Sequence, residues 1–193
     1  MNDITAATLK TDKIPIVFST VTGNAVKLAN AAASACPHIG PYNAYYVLNP
    51  GEGSLRCISD DILNAYPTLI LTYWCDLGSA DAATVELIGR LKNKNLILLG
   101  SLGTPADGKH AEKVRERVES LAKKGNALLG HYLCRGSIDL ARSERKRAIA
   151  EGAPLHLDEK GFARHLESQG HPDDGELAAA ADAVKRALAR VKG

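Results

Sequence analysis

Apolar residues fall into short runs that alternate with longer periodic stretches. Ile14-Pro15-Ile16-Val17-Phe18 is a run with no polar alternation, which predicts a strand buried on both faces. An alanine-rich helix follows over 25–35 and stops at Cys36-Pro37. Tyr42 to Leu48, rich in aromatic and branched residues, predicts a second strand that ends in the turn cluster Asn49-Pro50-Gly51. Ser59-Asp60-Asp61 supplies caps for a short helix to about Ala65. Thr68 to Thr72 predicts a third strand, and Ser79 or Asp81 caps a helix ending near Leu91. Asn95 to Leu99 predicts a fourth strand. Ala111, Val114, Val118 and Leu121 then mark one helical stripe, closed by Lys123-Lys124 and a C-cap glycine, Gly125. Ala127 to Leu133 predicts a fifth strand. After the capping turn His171-Pro172-Asp173-Asp174, Leu177, Ala181, Val184, Leu188 and Val191 mark a long final helix.

Five buried strands alternating with helices imply an α/β protein: a doubly wound open sheet of five parallel strands with helices on both faces. Five such units need about 150 residues. The chain has 193, which predicts one domain over 1–193. The surplus lies over 136–170, an insertion between the fifth strand and the last helix.

The net charge of +2 conceals an uneven distribution. Residues 1–108 carry −2, residues 109–147 carry +6, and residues 148–193 carry −2. The basic block has no interleaved aromatic platform, so nucleic-acid binding is not expected. The four cysteines form no CxxC pair and the six histidines no ligand spacing, so no structural metal is expected. No apolar run is long enough for a membrane span. The polar first 13 residues lack the core of a signal peptide, which leaves the cytoplasm as the expected location.

In an open parallel sheet, ligands bind beyond the carboxyl ends of the strands. Three predicted loops share that edge. The first, Ser19-Thr20-Val21-Thr22-Gly23-Asn24-Ala25, offers hydroxyls, a glycine and a helix N-terminus, which together suit a phosphate. It matches neither a P-loop nor the usual dinucleotide fingerprint. The second, Thr72-Tyr73-Trp74-Cys75-Asp76-Leu77-Gly78, holds the only tryptophan, well placed to stack on a flat ligand. The third, Gly100 to His110, includes Ser101, Leu102, Gly103, Asp107 and His110, and its three glycines let the backbone approach a ligand. A phosphorylated planar cofactor fits all three, with FMN the natural candidate.

These residues resemble the flavodoxins. Thr20-x-Thr22-Gly23-Asn24 is similar to that family's phosphate loop. Tyr73-Trp74-x-Asp76 resembles the loop whose Trp covers one face of the flavin. Asp107-Gly108-Lys109-His110 resembles the loop whose Tyr covers the other. The resemblance implies strand order 2-1-3-4-5 with FMN where that order reverses. Ala25 replaces a hydroxyl residue of the family pattern, and His110 replaces the stacking Tyr. Cys75 stands where the family often has Gly, at a backbone turn toward the flavin, and a side chain makes any turn with positive φ costlier there.

The resemblance implies an electron-transfer protein that passes electrons to a redox partner enzyme. No residue pattern commits to acid–base or nucleophilic catalysis. The alternative is an FMN-dependent oxidoreductase that takes hydride from NAD(P)H and reduces a small substrate itself. A third reading is a binding module of the same topology without cofactor. Arg135, Arg142, Arg145 and Arg147 lie close in sequence to the cofactor edge, which suggests that they dock a negatively charged partner.

Overall fold

The computed structural model describes residues 14–35, 43–44 (backbone only) and 63–190. The expected strand over 42–48 is described only at 43–44. The expected turn at 49–51, the caps at 59–61 and the helix stop at 36–37 lie outside the described residues.

The strands are β1 (Ile16–Phe18), β2 (Asn43–Ala44), β3 (Thr68–Asp76), β4 (Ser79–Ala80), β5 (Asn95–Leu102) and β6 (Ala127–Arg135). The helices are α1 (Asn24–Ser34), α2 (Ala82–Arg90), α3 (Lys109–Lys123), α4 (Leu140–Arg147), α5 (Glu159–Glu167) and α6 (Asp174–Ala189). Five strands run parallel in the order β2-β1-β3-β5-β6. This is the expected 2-1-3-4-5 order. β4 adds a short antiparallel flap to the end of β3.

Because side chains alternate across a strand, each strand feeds both faces. Leu69, Leu71, Leu96, Leu98 and Leu133 meet Leu87 and Ile88 of α2 and Val114 and Val118 of α3. Ile16, Phe18, Ile70, Ile97 and Leu99 meet Leu28, Ala29 and Ala32 of α1 and Ala180, Val184 and Ala187 of α6. The register of β6 slips by one residue where Leu96 pairs with Leu128 but Ile97 pairs with Gly130. This bulge resets which face His131 meets, and His131 then pairs with Leu98.

Two local expectations change. β3 and β5 each run past their expected ends, because paired neighbours extend the ladder: Tyr73 pairs with Gly100 and Trp74 with Ser101. Gly125 is no left-handed cap; α3 ends on Lys124 in right-handed geometry. The glycine serves close approach instead, since a Cβ there would lie 2.9 Å from Lys92 Cδ.

The surplus segment folds as α4 and α5. Each starts on an aspartate whose side chain accepts a first-turn amide: Asp139 from Arg142 and Asp158 from Gly161. Ser143 and His165 join the two helices at 2.8 Å. Asp173 and Glu176 form a capping box at the start of α6, as the capping turn implied.

Candidate functional site

β1 is hydrogen-bonded to both β2 and β3, so the strand order reverses at its carboxyl end. The loop leaving it reaches α1 through Gly23, which is left-handed at φ 86° and caps the helix with no side chain. The first-turn amides of α1 therefore face the loop without a side-chain partner. Thr20 Oγ1 accepts from Gly23 N at 3.0 Å, and Thr22 Oγ1 accepts from Asn24 Nδ2 at 2.9 Å. Each hydroxyl accepts within the protein and keeps its proton to donate outward. Val21 is exposed, and nothing lies within 4 Å of a Cβ placed on Gly23, so the cradle is open.

Other members of the expected set are committed inward. Ser19 donates to Asp81 at 2.7 Å and Thr72 donates to the Ala25 carbonyl at 2.8 Å, so neither hydroxyl has a proton left for a ligand. Ala25 is buried in the core beneath α1. Tyr73 lies wholly in the core beneath α2 and α3 with Leu102, and Cys75 packs against the same core. Burial pushes the Cys75 thiol up to about 12, with the Asp81 carboxylate adding to the rise, so it is no nucleophile at neutral pH.

Trp74 sits on the opposite face of β3 from Tyr73, paired across the ladder with Ser101. The indole Nε1 and the Ser101 hydroxyl are both buried without a protein partner, as is Thr104 Oγ1. A Cβ on Gly136 would lie 3.0 Å from Ser101 Cβ and 2.7 Å from Asn24 Nδ2, so the loop after β6 closes against the same spot. Asn24 Nδ2 also donates to the Ser137 carbonyl at 2.9 Å, and Ser137 Oγ donates to the His171 carbonyl at 2.6 Å. The sequence itself puts Gly136 on this edge, by its position just past the fifth strand, but names no role for it or for Ser137.

The expected second loop shrinks to a two-residue hairpin. Leu77 and Gly78, at φ 46° and 76°, turn β3 into β4. The positive φ anticipated near Cys75 thus falls two residues later, and Cys75 itself is ordinary strand. Arg117 Nη1 of α3 donates to the Gly78 carbonyl at 2.7 Å and to that of Leu77 at 3.4 Å. Asp76 is exposed at the hairpin and Leu77 is 95% exposed at its tip. Gly103 lies against Ile138, with a Cβ there only 2.5 Å from Ile138 Cδ1. Asp107 and His110 are exposed around the start of α3, and the His110 ring lies 3.9 Å from where a Gly78 Cβ would be. Three loops and the start of the fourth therefore meet on one edge.

The four arginines separate. The Arg135 side chain is 15% exposed and reaches α5, donating to the Arg164 carbonyl at 3.3 Å. Arg147 pairs with Glu159 at 2.6 Å and lies 4.5 Å from the Phe162 ring centre. Arg142 and Arg145 are exposed on α4.

Beneath the edge, Tyr73 Oη meets His131 Nε2 at 2.7 Å, and His131 Nδ1 faces Glu119 at 3.4 Å. Burial drives the His131 imidazole down to about 4 against the pull of Glu119, so it is neutral at pH 7. Burial tends to raise the Glu119 carboxyl, but the hydrogen bond from Lys123 and the neighbouring His131 outweigh it and lower it.

A doubly wound parallel sheet in this strand order, with the reversal at β1, is the flavodoxin-like arrangement. Residues 15–185 match the flavodoxin domain model, and the chain belongs to that family. It is 25% identical over 169 residues to the flavodoxin-like domain-containing protein BilS of Clostridioides difficile (strain CD3), covering 84% of this chain and 88% of that protein. It is 24% identical over 173 residues to BilS of Clostridium symbiosum (strain WAL-14163), covering 86% and 91%. A flavodoxin from Fusobacterium nucleatum, solved bound to flavin mononucleotide, is 16% identical with a TM-score of 0.47, over 90% of this chain and 97% of that one. Among the described residues, no helix is long and apolar enough to cross a membrane.

Proposed function

We propose that this chain binds FMN at the carboxyl edge of its sheet and passes electrons to a partner protein. The observation that carries the reading is the open loop after β1, where Thr20 and Thr22 keep hydroxyl protons free beside the uncapped start of α1. That is a cradle for a phosphate with no cation in it. The partnerless Trp74 Nε1 and Ser101 Oγ fit a polar, planar group beside the cradle.

In this reading Thr20, Val21, Thr22, Gly23, Asn24 and Ala25 form the phosphate cradle, with Thr22, Asn24 and Ala25 contributing backbone amides while the Gly23 amide holds Thr20 in place. Trp74, Asp76, Gly78, Ser101, Gly103, Asp107 and His110 border the ring. Ser19, Thr72, Tyr73, Cys75 and Leu102 support the edge from below. When bound, the flavin supplies the redox chemistry. The chain's own residues bind it, orient it and limit water around it.

The test is a titration of the flavin-free protein with FMN. Quenched flavin fluorescence with one-to-one stoichiometry is expected, with riboflavin binding at least tenfold more weakly because it lacks the phosphate that the cradle holds. No quenching overturns the cofactor. Rapid bleaching by NAD(P)H with no other protein present overturns the carrier role in favour of a self-contained oxidoreductase.

For the partner, Arg142 and Arg145 are the arginines we assign to docking; Arg135 instead bonds the Arg164 carbonyl and Arg147 pairs with Glu159. α4 starts shortly after the carboxyl end of β6, the edge at which the flavin is proposed to bind, and this supports the assignment. Reversing both, as Arg142→Glu/Arg145→Glu, is expected to slow electron transfer to an acidic redox protein about tenfold at low salt. It should also flatten the salt dependence of the rate. An unchanged rate and salt slope would remove these residues from the docking surface.

A further inference from the structure

The candidate site is assembled from segments that leave two different strands, and one buried carboxylate touches both. Asp81 is 1% exposed. Its Oδ1 accepts from Ser19 Oγ at 2.7 Å and from Thr84 N at 3.2 Å, and its Oδ2 accepts from Thr84 Oγ1 at 2.8 Å. Its own N–H donates to the Trp74 carbonyl at 3.0 Å. Ser19 is equally buried, opens the phosphate loop, and is anchored by its N–H to the Thr72 carbonyl at 3.0 Å.

We propose that Asp81 is a positioning residue that sets Trp74 against the 19–25 loop. The inference rests on the reading of that edge as a cofactor site. As an N-cap, Asp81 needs only to satisfy the first turn of α2, which an exposed serine does equally well without burying a charge. Burial of the carboxylate gains nothing for the helix and raises the cost of its ionised form. What the carboxylate adds is reach in two directions: toward Thr84 on α2 and toward Ser19 at the exit of β1. Its main-chain N–H meanwhile fixes the strand residue that carries the indole. The loop for the anion and the aromatic side chain then move as one body. The spacing between a bound phosphate and a ring beside Trp74 becomes a fixed dimension of the site rather than a property of two independent loops.

The chain contains one tryptophan, so indole emission and its near-ultraviolet circular dichroism report Trp74 alone. The flavin-free protein, Ser19→Ala, Asp81→Asn and the double variant are compared in those signals and then titrated with FMN. Ser19→Ala removes a hydroxyl from the residue that follows β1, in no direct bond with Trp74, and is expected to alter the Trp74 signal while far-ultraviolet dichroism stays native. It should also weaken FMN binding about tenfold, the range for a buried hydrogen bond to a charged group. The double variant should bind no more weakly than the poorer single one, because both changes break the same link. A Trp74 signal in Ser19→Ala identical to wild type, or effects that multiply in the double variant, overturns the inference. If Asp81→Asn does not fold, the Trp74 signal of Ser19→Ala decides alone. Failure of the wild type to bind FMN would overturn the cofactor reading, while a shifted Trp74 signal in Ser19→Ala would still sustain the mechanical link.

Discussion

Gly100→Ala is expected to destabilise the fold by about 3 kcal/mol, although it adds one methyl group in the middle of a strand. The added Cβ would sit 2.5 Å from Tyr73 Cζ, 2.6 Å from Tyr73 Oη and 2.5 Å from Leu133 Cδ2. The leucine methyl is a flexible end and can rotate away. The tyrosine ring cannot, because it lies wholly buried and its hydroxyl is held by His131. Gly100 is the gap through which the ring of β3 crosses β5 to reach β6. Urea unfolding of Gly100→Ala should show the loss. Tyr73→Leu in the same chain should recover part of it by making room. If Gly100→Ala unfolds at the wild-type midpoint, the packing of Tyr73 across β5 is wrong.

The second large effect is a loss of stability on acidification, set by His131. Its folded value of about 4 lies below the ordinary 6.5. Between those values the unfolded chain binds a proton that the folded chain refuses. Stability is therefore fully present above pH 6.5 and falls as pH drops toward 4. A shift of this size corresponds to about 3 kcal/mol. His165 is also lowered, by burial and by nearby Lys146 and Arg164, and contributes in the same direction but less, being open to solvent. Glu119 and Asp81 act in opposite directions. The Glu119 carboxyl is lowered, so it adds to the stability lost as pH falls. The Asp81 carboxyl is raised chiefly by burial, against the hydrogen bonds from Ser19 and Thr84, so its protonation opposes acid unfolding. His131→Gln keeps a polar partner for Tyr73 without the titration, and its unfolding free energy should be flatter from pH 6.5 to 4.5. An equally steep profile in that variant would assign the acid loss elsewhere.

The sheet and its strand order were legible because buried parallel strands leave uninterrupted apolar runs, and the 19–25 loop because its hydroxyls and Gly23 lie in one short stretch. The second loop was misread in extent. Asp76-Leu77-Gly78 carries a turn signal that draws Tyr73, Trp74 and Cys75 into a loop, and the strand's continuation through them rests on pairing with β5, a long-range fact. The alternation of that continued strand then separates Trp74 from Tyr73 and Cys75, three neighbours that a loop would have kept together. His131 went unnoticed because its role depends on the β6 bulge and on a partner two strands away. Asp81 was recognised as a helix cap from its local sequence; its bond to Ser19 spans too much chain for any local pattern to show. Arg135 and Arg147 counted as surface charge until the insertion folded over one and paired the other.

β1 offers only three residues to the centre of the sheet, and its partners are distant: Val17 lies beside Asn43 on one side and beside Leu71 on the other. Each doubling of a closed loop adds about 0.6 kcal/mol of entropy loss, so the longer closure is the harder of the two. The loop proposed to hold a phosphate starts at the residue after β1. During synthesis, then, the shape of the 19–25 loop waits until the ribosome has released residues 68–81. A segment that opens the candidate site takes its conformation from residues made well after it.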